Sequence, residues 1–416
     1  MGAIVRKDFQ RDGRHGTLFR CYNTLEALEA LARAARTRMS GPVIAITGSA
    51  GKTGTKEALH LALAPSGTTH ASEKSYNNQW GVPLSLARMP AETAYGIFEA
   101  GMNHAGEITP LSQMIRPHIA IITLVAPVHI GFFDSEEAIA EAKVEIFAGL
   151  EPQGVALLNR DNKHFQLLAA RAEAAGARIL GFGSDREADI RLVELVLEND
   201  SSLVSASVCG APLRYRIGAA GAHHVMNSLA VLGAVHAAGG DIAAAGKALS
   251  GVRAQKGRGA CTRYPLAGGA ITIIDESYNA NPASVGAALE TLAQMPRTEY
   301  PRRVIVLGDM LELGAHSEAL HRGLAEPVVN AGVDKVFACG PIMSTLYEAL
   351  PIDLKGGYAE ISEDLAPLVI EALKPGDAVM IKGSLGSRMS VVVDALTAHL
   401  RKLPSRDQNI KTQAEG

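Results

Sequence analysis

The run Gly48-Ser49-Ala50-Gly51-Lys52-Thr53 places a lysine and a hydroxyl directly after a glycine-bounded turn. The apolar residues Val43 to Ile46 lead into it, and a helical pattern opens at the lysine. Such a turn aims several backbone N–H groups at one point, where the helix N-terminus adds partial positive charge. Lys52 supplies a full charge for terminal phosphates, and the Thr53 hydroxyl is a ligand for Mg²⁺. Only Ser49 and Ala50 separate the two glycines, so the loop is a short variant of the usual phosphate-binding spacing. The chemistry implied is that of ATP or GTP.

Other polar residues follow apolar runs, where ligands sit in parallel α/β sheets. Glu99 ends the run Tyr95–Phe98, and a carboxylate there can hold Mg²⁺ beside a triphosphate. His129 lies in the loop after Ile119–Leu124, open to solvation or to ligation. Lys143 falls in the apolar stripe of Ile139, Ile146, Phe147 and Leu150 on a helix beginning near Ser135. A lysine there costs free energy unless its head reaches water or a partner. Asn77 and Asn78 suit either a polar substrate or a turn, and Asn227 either a purine edge or solvent. Asp275, Tyr278 and Asn279 follow the run Ile271–Ile274, while Asn281-Pro282 reads as a helix cap and first position. Asp309 follows another run, and Lys382 and Ser384 follow the last one.

The elements that would position these groups alternate. Strands are expected at Val43–Thr47, Gly96–Glu99, Ile119–Leu124, Val155–Asn159 and Arg178–Phe182, separated by helical stretches. Uninterrupted apolar strands of this kind belong to a doubly wound parallel sheet. Alternation around Ile190–Val196 and Leu203–Val208 predicts a small antiparallel insert, followed by a helix at about 223–238. A second α/β series runs through Ile271–Asp275, Arg303–Leu307, Lys335–Ala338 and Ala378–Ile381. The expected architecture is therefore α/β, with a central P-loop sheet at 41–266 and a Rossmann-like domain at 267–416 ending in a disordered tail. Residues 1–22 show no clear element. Thr24 is expected to cap a helix burying Leu25, Leu28, Leu31 and Ala35.

Bulk composition narrows the class. The chain has 416 residues, 47% of them hydrophobic and 20% charged, ordinary for a globular protein. A net charge of −3 with no basic run argues against nucleic acid. Cys21, Cys209, Cys261 and Cys339 are scattered, as in reduced cytosolic proteins, and no segment reads as a signal peptide or membrane span. A cytoplasmic location is expected.

Taken together, TGSAGKTGTKE, SYNNQWGVP, EAGMNHAGEI, VHIGFF, EAKVEIFAGL, HHVMNSLA, DESYNANPASV, VLGDMLELG with His321, and MIKGS resemble the Mur ligase family. These are the ATP-dependent amide ligases of peptidoglycan assembly. YNANP with GDMLELG is similar to the branch that adds D-alanyl-D-alanine to UDP-N-acetylmuramoyl-tripeptide. A monomer is expected, and the resemblance implies ATP and two Mg²⁺ ions, with catalytic roles for Lys52, His129 and Lys143. Thr53 and Glu99 would serve the first metal, His129 and Lys143 the second, the lysine as a carbamate. ATP would meet Gly48 to Thr53, Asn227, Arg258 and Asp275. Substrate would meet Asn77, Asn78, Tyr278, Asn279, Lys382 and Ser384. Residues 1–40 would be a shortened remnant of the family's UDP-sugar-binding domain plus a linker helix. That shortening keeps open a second reading, ligation of a carboxylate not attached to UDP, or a form impaired in substrate binding.

Overall fold

Val43–Thr47 is buried along its whole length, with Ile44 and Ile46 facing one helical layer and Val43 and Ala45 the other. Each buried Val or Ile side chain contributes about 1.5–3 kcal/mol, which explains an apolar strand with no polar face. The computed structural model describes residues 2–10, 13, 16–127, 133–198, 201–219, 221–253, 256–266 and 268–403. Within them Val43–Thr47 is the seventh of nine strands in one sheet. From one edge the order is Ala211–Ile217, Ser202–Val208, Ile190–Leu197, Arg178–Gly183, Val155–Asn159, Ile119–Ile122, Val43–Thr47, Tyr95–Glu99 and Thr69–Ala71. The last seven run parallel.

The antiparallel residues expected as a small insert are thus an extension of the main sheet. Ile190–Leu197 pairs parallel to Arg178–Gly183 through Phe182 and Gly183, and two antiparallel strands then follow it. Helices Lys52–Leu63 and Ala222–Ala237 cover one face. Ile108–Ile115, Glu136–Val144 and Phe165–Ala174 cover the other.

A second sheet has the order Ala260–Leu266, Gly269–Glu276, Asp377–Lys382, Arg302–Gly308, Lys335–Cys339 and Lys355–Ala359. Only the first pair is antiparallel. The expected boundary near 266 is corrected here. Tyr264, Pro265 and Leu266 pair antiparallel with Ile271, Ala270 and Gly269, and the second sheet begins at Ala260. The Pro and Gly residues that read as a domain break serve an edge strand and its turn.

At the front, Gly2–Arg6 and Thr17–Cys21 pair in parallel, two short and largely exposed strands within residues that showed no clear element. Helix Thr24–Arg38 is capped by Asn23, not Thr24, because the Asn23 side chain accepts from the Leu25 and Glu26 amides. Leu31 is exposed, and the helix docks instead through Ala32, Ala35 and Arg36. Buried Arg36 donates to the Ile115 and Arg116 carbonyls at 2.7 Å each and meets Glu151 at 3.4 Å. Arg36→Ala leaves the buried Ile115 carbonyl without its donor, while Glu151 keeps Arg116 at 2.7 Å, so a loss of about 2 kcal/mol in unfolding free energy is expected from urea titration. Arg36→Lys recovers little of it, lacking the planar fork.

Candidate active site

The phosphate loop is held open by its neighbours. Ser49 N–H donates to the Leu124 carbonyl at 2.7 Å, and Thr123 Oγ1 donates to the Ala50 carbonyl at 2.6 Å. Gly51 has φ +84°, and a Cβ there would sit 2.8 Å from the Asn227 amide, so only glycine lets Asn227 close over the turn. Lys52 Nζ donates to the Gly48 carbonyl at 2.7 Å, laying its ammonium across the loop. Burial lowers the Lys52 pKa, Glu99 opposes that shift, and Arg258 adds to it.

Glu99 is buried at the end of its strand. One carboxylate oxygen accepts from Thr53 Oγ1 at 2.9 Å and the other from Asn77 Nδ2 at 2.7 Å. A carboxylate can accept about four hydrogen bonds, so both oxygens keep capacity facing the cavity. With the Thr53 hydroxyl they form a hard-oxygen pair, the donor type Mg²⁺ takes alongside phosphate oxygens. Among the described residues no cluster of three or more His, Cys, Asp or Glu side chains forms a complete metal cage.

These groups line a cavity of about 530 Å³ between the two sheets. Ser49, Ala50, Gly51, Lys52, Thr53, Asn77, Glu99 and Asn227 enter from the first sheet, and Arg258, Tyr278, Asn279 and Lys382 from the second side. Arg258 spans the two: it donates to Ser75 Oγ at 3.2 Å while its guanidinium lies 4.1 Å from the Tyr278 ring centre. Lys382 is buried, bonded to Glu276 at 3.1 Å and to the Asn279 carbonyl at 3.0 Å.

Other candidates hold backbone instead of lining the cavity. Asn78 Oδ1 accepts from the Trp80 and Gly81 amides, the turn reading of that residue. Asp275 is buried and accepts from the Gly257 and Ser277 amides and the Ser277 hydroxyl. Ser384 Oγ bridges the Leu311 amide and the Ala280 carbonyl. His129 lies outside the described residues. Lys143 is buried in its stripe, where burial first and Lys52 second push its amine well below the usual lysine range.

Sequence reasoning did not single out Ser75, Glu276, His223 or His224, all of which line the cavity. The two histidine rings pack 4.1 Å apart, and burial lowers both pKa values. Ser75 was within SYNNQWGVP, but nothing in that motif indicates that its hydroxyl meets both Thr53 and Arg258.

His321 belongs to the framework under this rim. It is fully buried, and its Nε2 accepts from the Met310 amide at 2.9 Å, so the proton sits on Nδ1 toward the Ser317 carbonyl. Burial lowers its pKa below 6.5 despite Ser317 and Asp309. The folded form therefore favours the neutral ring. Its contribution to stability is complete above the unfolded value of 6.5 and is lost as pH falls through the lowered folded value, because the unfolded chain binds the proton first. Thermal melts from pH 7.5 to 5 are expected to decline less steeply in His321→Asn than in the parent.

Fold and cavity together define a P-loop nucleotide-binding protein in which two α/β sheets share one cleft. The Mur ligase middle domain matches residues 46–235, and the Mur ligase, glutamate ligase domain matches residues 262–385. The UDP-N-acetylmuramoyl-tripeptide--D-alanyl-D-alanine ligase of Rickettsia prowazekii is 33% identical over 373 residues, spanning 89% of this chain and 82% of that one. The enzyme of the same name from Bacillus subtilis is 31% identical, over 90% of this chain and 80% of its own. MurF from Acinetobacter baumannii superposes with a TM-score of 0.84 at 28% identity, covering 96% of this chain and 84% of that one. This chain belongs to the Mur ligase family.

Proposed function

We propose that this chain is the ATP-dependent ligase that joins D-alanyl-D-alanine to UDP-N-acetylmuramoyl-tripeptide in peptidoglycan precursor synthesis. The observation carrying this is a P-loop cavity lined from both sheets in a chain whose similarity to ligases of that activity covers nine tenths of its length. The reading makes it a cytoplasmic enzyme, consistent with the lack, among the described residues, of a helix long and apolar enough to cross a membrane. It also takes the chain as a monomer, with 41–266 and 267–416 as its two catalytic domains apart from the edge strand noted above.

Forming the amide takes two steps. The tripeptide's terminal carboxylate attacks the γ-phosphorus of ATP, giving an acyl phosphate and releasing ADP. The D-alanyl-D-alanine amine then attacks the acyl carbon and, as a proton leaves nitrogen, phosphate is expelled. In the first step two anions must meet, and the Lys52 ammonium and the backbone N–H groups after Gly51 lower that barrier. Thr53 and Glu99 would hold Mg²⁺, which when bound supplies further neutralising charge at the phosphates. Asn77, held on Glu99, faces the same cavity and would orient the acceptor. Asn227 and Arg258 would contact the nucleotide. Tyr278, Asn279 and Lys382 would close over the acyl phosphate and exclude water, which would hydrolyse it. Asp275, Asn78 and Ser384 would act by fixing the turns that carry these groups.

Lys143 enters as a carbamate. Its lowered pKa favours the free amine, whose lone pair adds to CO₂ with loss of one proton and leaves an anion where a cation would be costly. With His129 that anion would serve a second Mg²⁺.

Phosphate release from ATP, measured with UDP-N-acetylmuramoyl-tripeptide in the presence and absence of D-alanyl-D-alanine, tests the proposal. Release requiring both, with the UDP-pentapeptide seen by mass, is expected. A folded, ATP-binding protein that turns over neither would refute it.

A further inference from the structure

Lys56 lies one turn into the helix that follows the phosphate loop and is 0% exposed. A charge so placed needs its donors satisfied. Its Nζ donates to the Ser72 carbonyl at 2.5 Å and to the Lys74 carbonyl, and meets Glu57 at 2.9 Å. Both carbonyls belong to the segment that presents Ser75 and Asn77. That segment has little regular bonding of its own. Its ends are fixed by Ser72 N–H on the Ile97 carbonyl and Gly101 N–H on the Asn77 carbonyl. Between them Lys74 adopts φ +48°, uncommon for a side-chain-bearing residue, with its carbonyl turned to Lys56. Gly101 permits the loop's far end to close, since a Cβ there would fall 2.8 Å from the Asn77 side chain.

We propose that Lys56 is a positioning residue, holding the 72–77 loop on the Lys52–Leu63 helix so that Ser75 and Asn77 meet Thr53 and Glu99. Ser75 Oγ is 3.1 Å from Thr53 Oγ1, and Asn77 Nδ2 is 2.7 Å from Glu99. The helix that cradles phosphate therefore carries, one turn later, the cation that places the opposite wall. Phosphate grip and acceptor placement are mechanically linked through one side chain that touches neither substrate. The acceptor part of this inference rests on the ligase reading above, while the brace itself does not.

Lys56→Met keeps the volume and removes the donors. The chain's single tryptophan, Trp80, directly follows the loop, is 54% exposed and bonds Asn78 through its amide, so acrylamide quenching reports loop order without substrate. Lys56→Met is expected to raise Trp80 quenching and to raise KM for the tripeptide acceptor by at least about tenfold with a fall in kcat. The dissociation constant for ATP alone is expected to stay within about threefold of the parent, because the 48–53 cradle is untouched. Lys56→Gln, which keeps two amide N–H donors but no charge, should fall between the two, and it carries the same readouts if the methionine variant does not fold. Unchanged quenching and acceptor KM in a folded variant would overturn the proposal, as would an equal loss of ATP affinity. Absence of ligation in the parent would instead count against the ligase reading, leaving the quenching comparison to decide the brace.

Discussion

Lys143→Ala is expected to abolish turnover, lowering ATP-dependent phosphate release by about 10³-fold, with the melting temperature near that of the parent. The side chain is buried, yet among the described residues it has no hydrogen-bond or ion-pair partner whose loss would unfold the helix. Truncation there removes a costly amine while Ile139 and Ile146 remain buried. If the working form is the carbamate, two further results follow. Added formate or acetate restores part of the activity of Lys143→Ala, and the parent loses activity in CO₂-depleted buffer. A variant that turns over at the parent's rate would remove the carbamate from the mechanism.

Lys52→Met is expected to lower kcat by about 10²–10³-fold, the scale for losing one preorganised charge contact to a developing anion. Its stability should move the other way. Burial already disfavours the charged form of Lys52, so the uncharged methionine costs the ligand-free fold little. The signature is separable in one instrument. The parent's melting temperature rises with Mg²⁺-ATP, as any ligand selective for the folded state requires. Lys52→Met should melt at or above the ligand-free parent and show little of that rise. A full ATP-induced shift in this variant would mean that the phosphates are held elsewhere.

The elements most legible in the sequence were those buried on both faces. Val43–Thr47, Val155–Asn159 and Asp377–Lys382 are buried throughout, so their interiors are continuous apolar runs with polar residues only at the ends. Edge strands were not legible for the converse reason. Thr69–Ala71 has only three residues, and Lys355–Ala359 contains Gly356 and Gly357 in a half-buried run. Each is recruited by the neighbour it pairs with rather than by its own pattern. The hairpin around residue 266 misled because proline and glycine mark turns and linkers alike.

The site divides along the same line. Lys52, Thr53 and the cradle around them are contiguous, so strand, turn and helix spacing alone determines what they can grip. The stripe that makes Lys143 anomalous is likewise local, since helical period sets it. What the tertiary structure decided is adjacency over distance: Thr53 beside Glu99, and Arg258 on Ser75 across 183 positions of chain. It also decided that Asn78, Asp275 and Ser384 hold turns while Ser75 and Glu276 face the cavity. A polar residue after a strand can satisfy backbone or meet a ligand, and its type is the same in either role. Asn78 is claimed by amides of its own turn, whereas Asp275 and Ser384 also take amides distant in the chain, from Gly257 and Leu311, which only the folded structure brings to them.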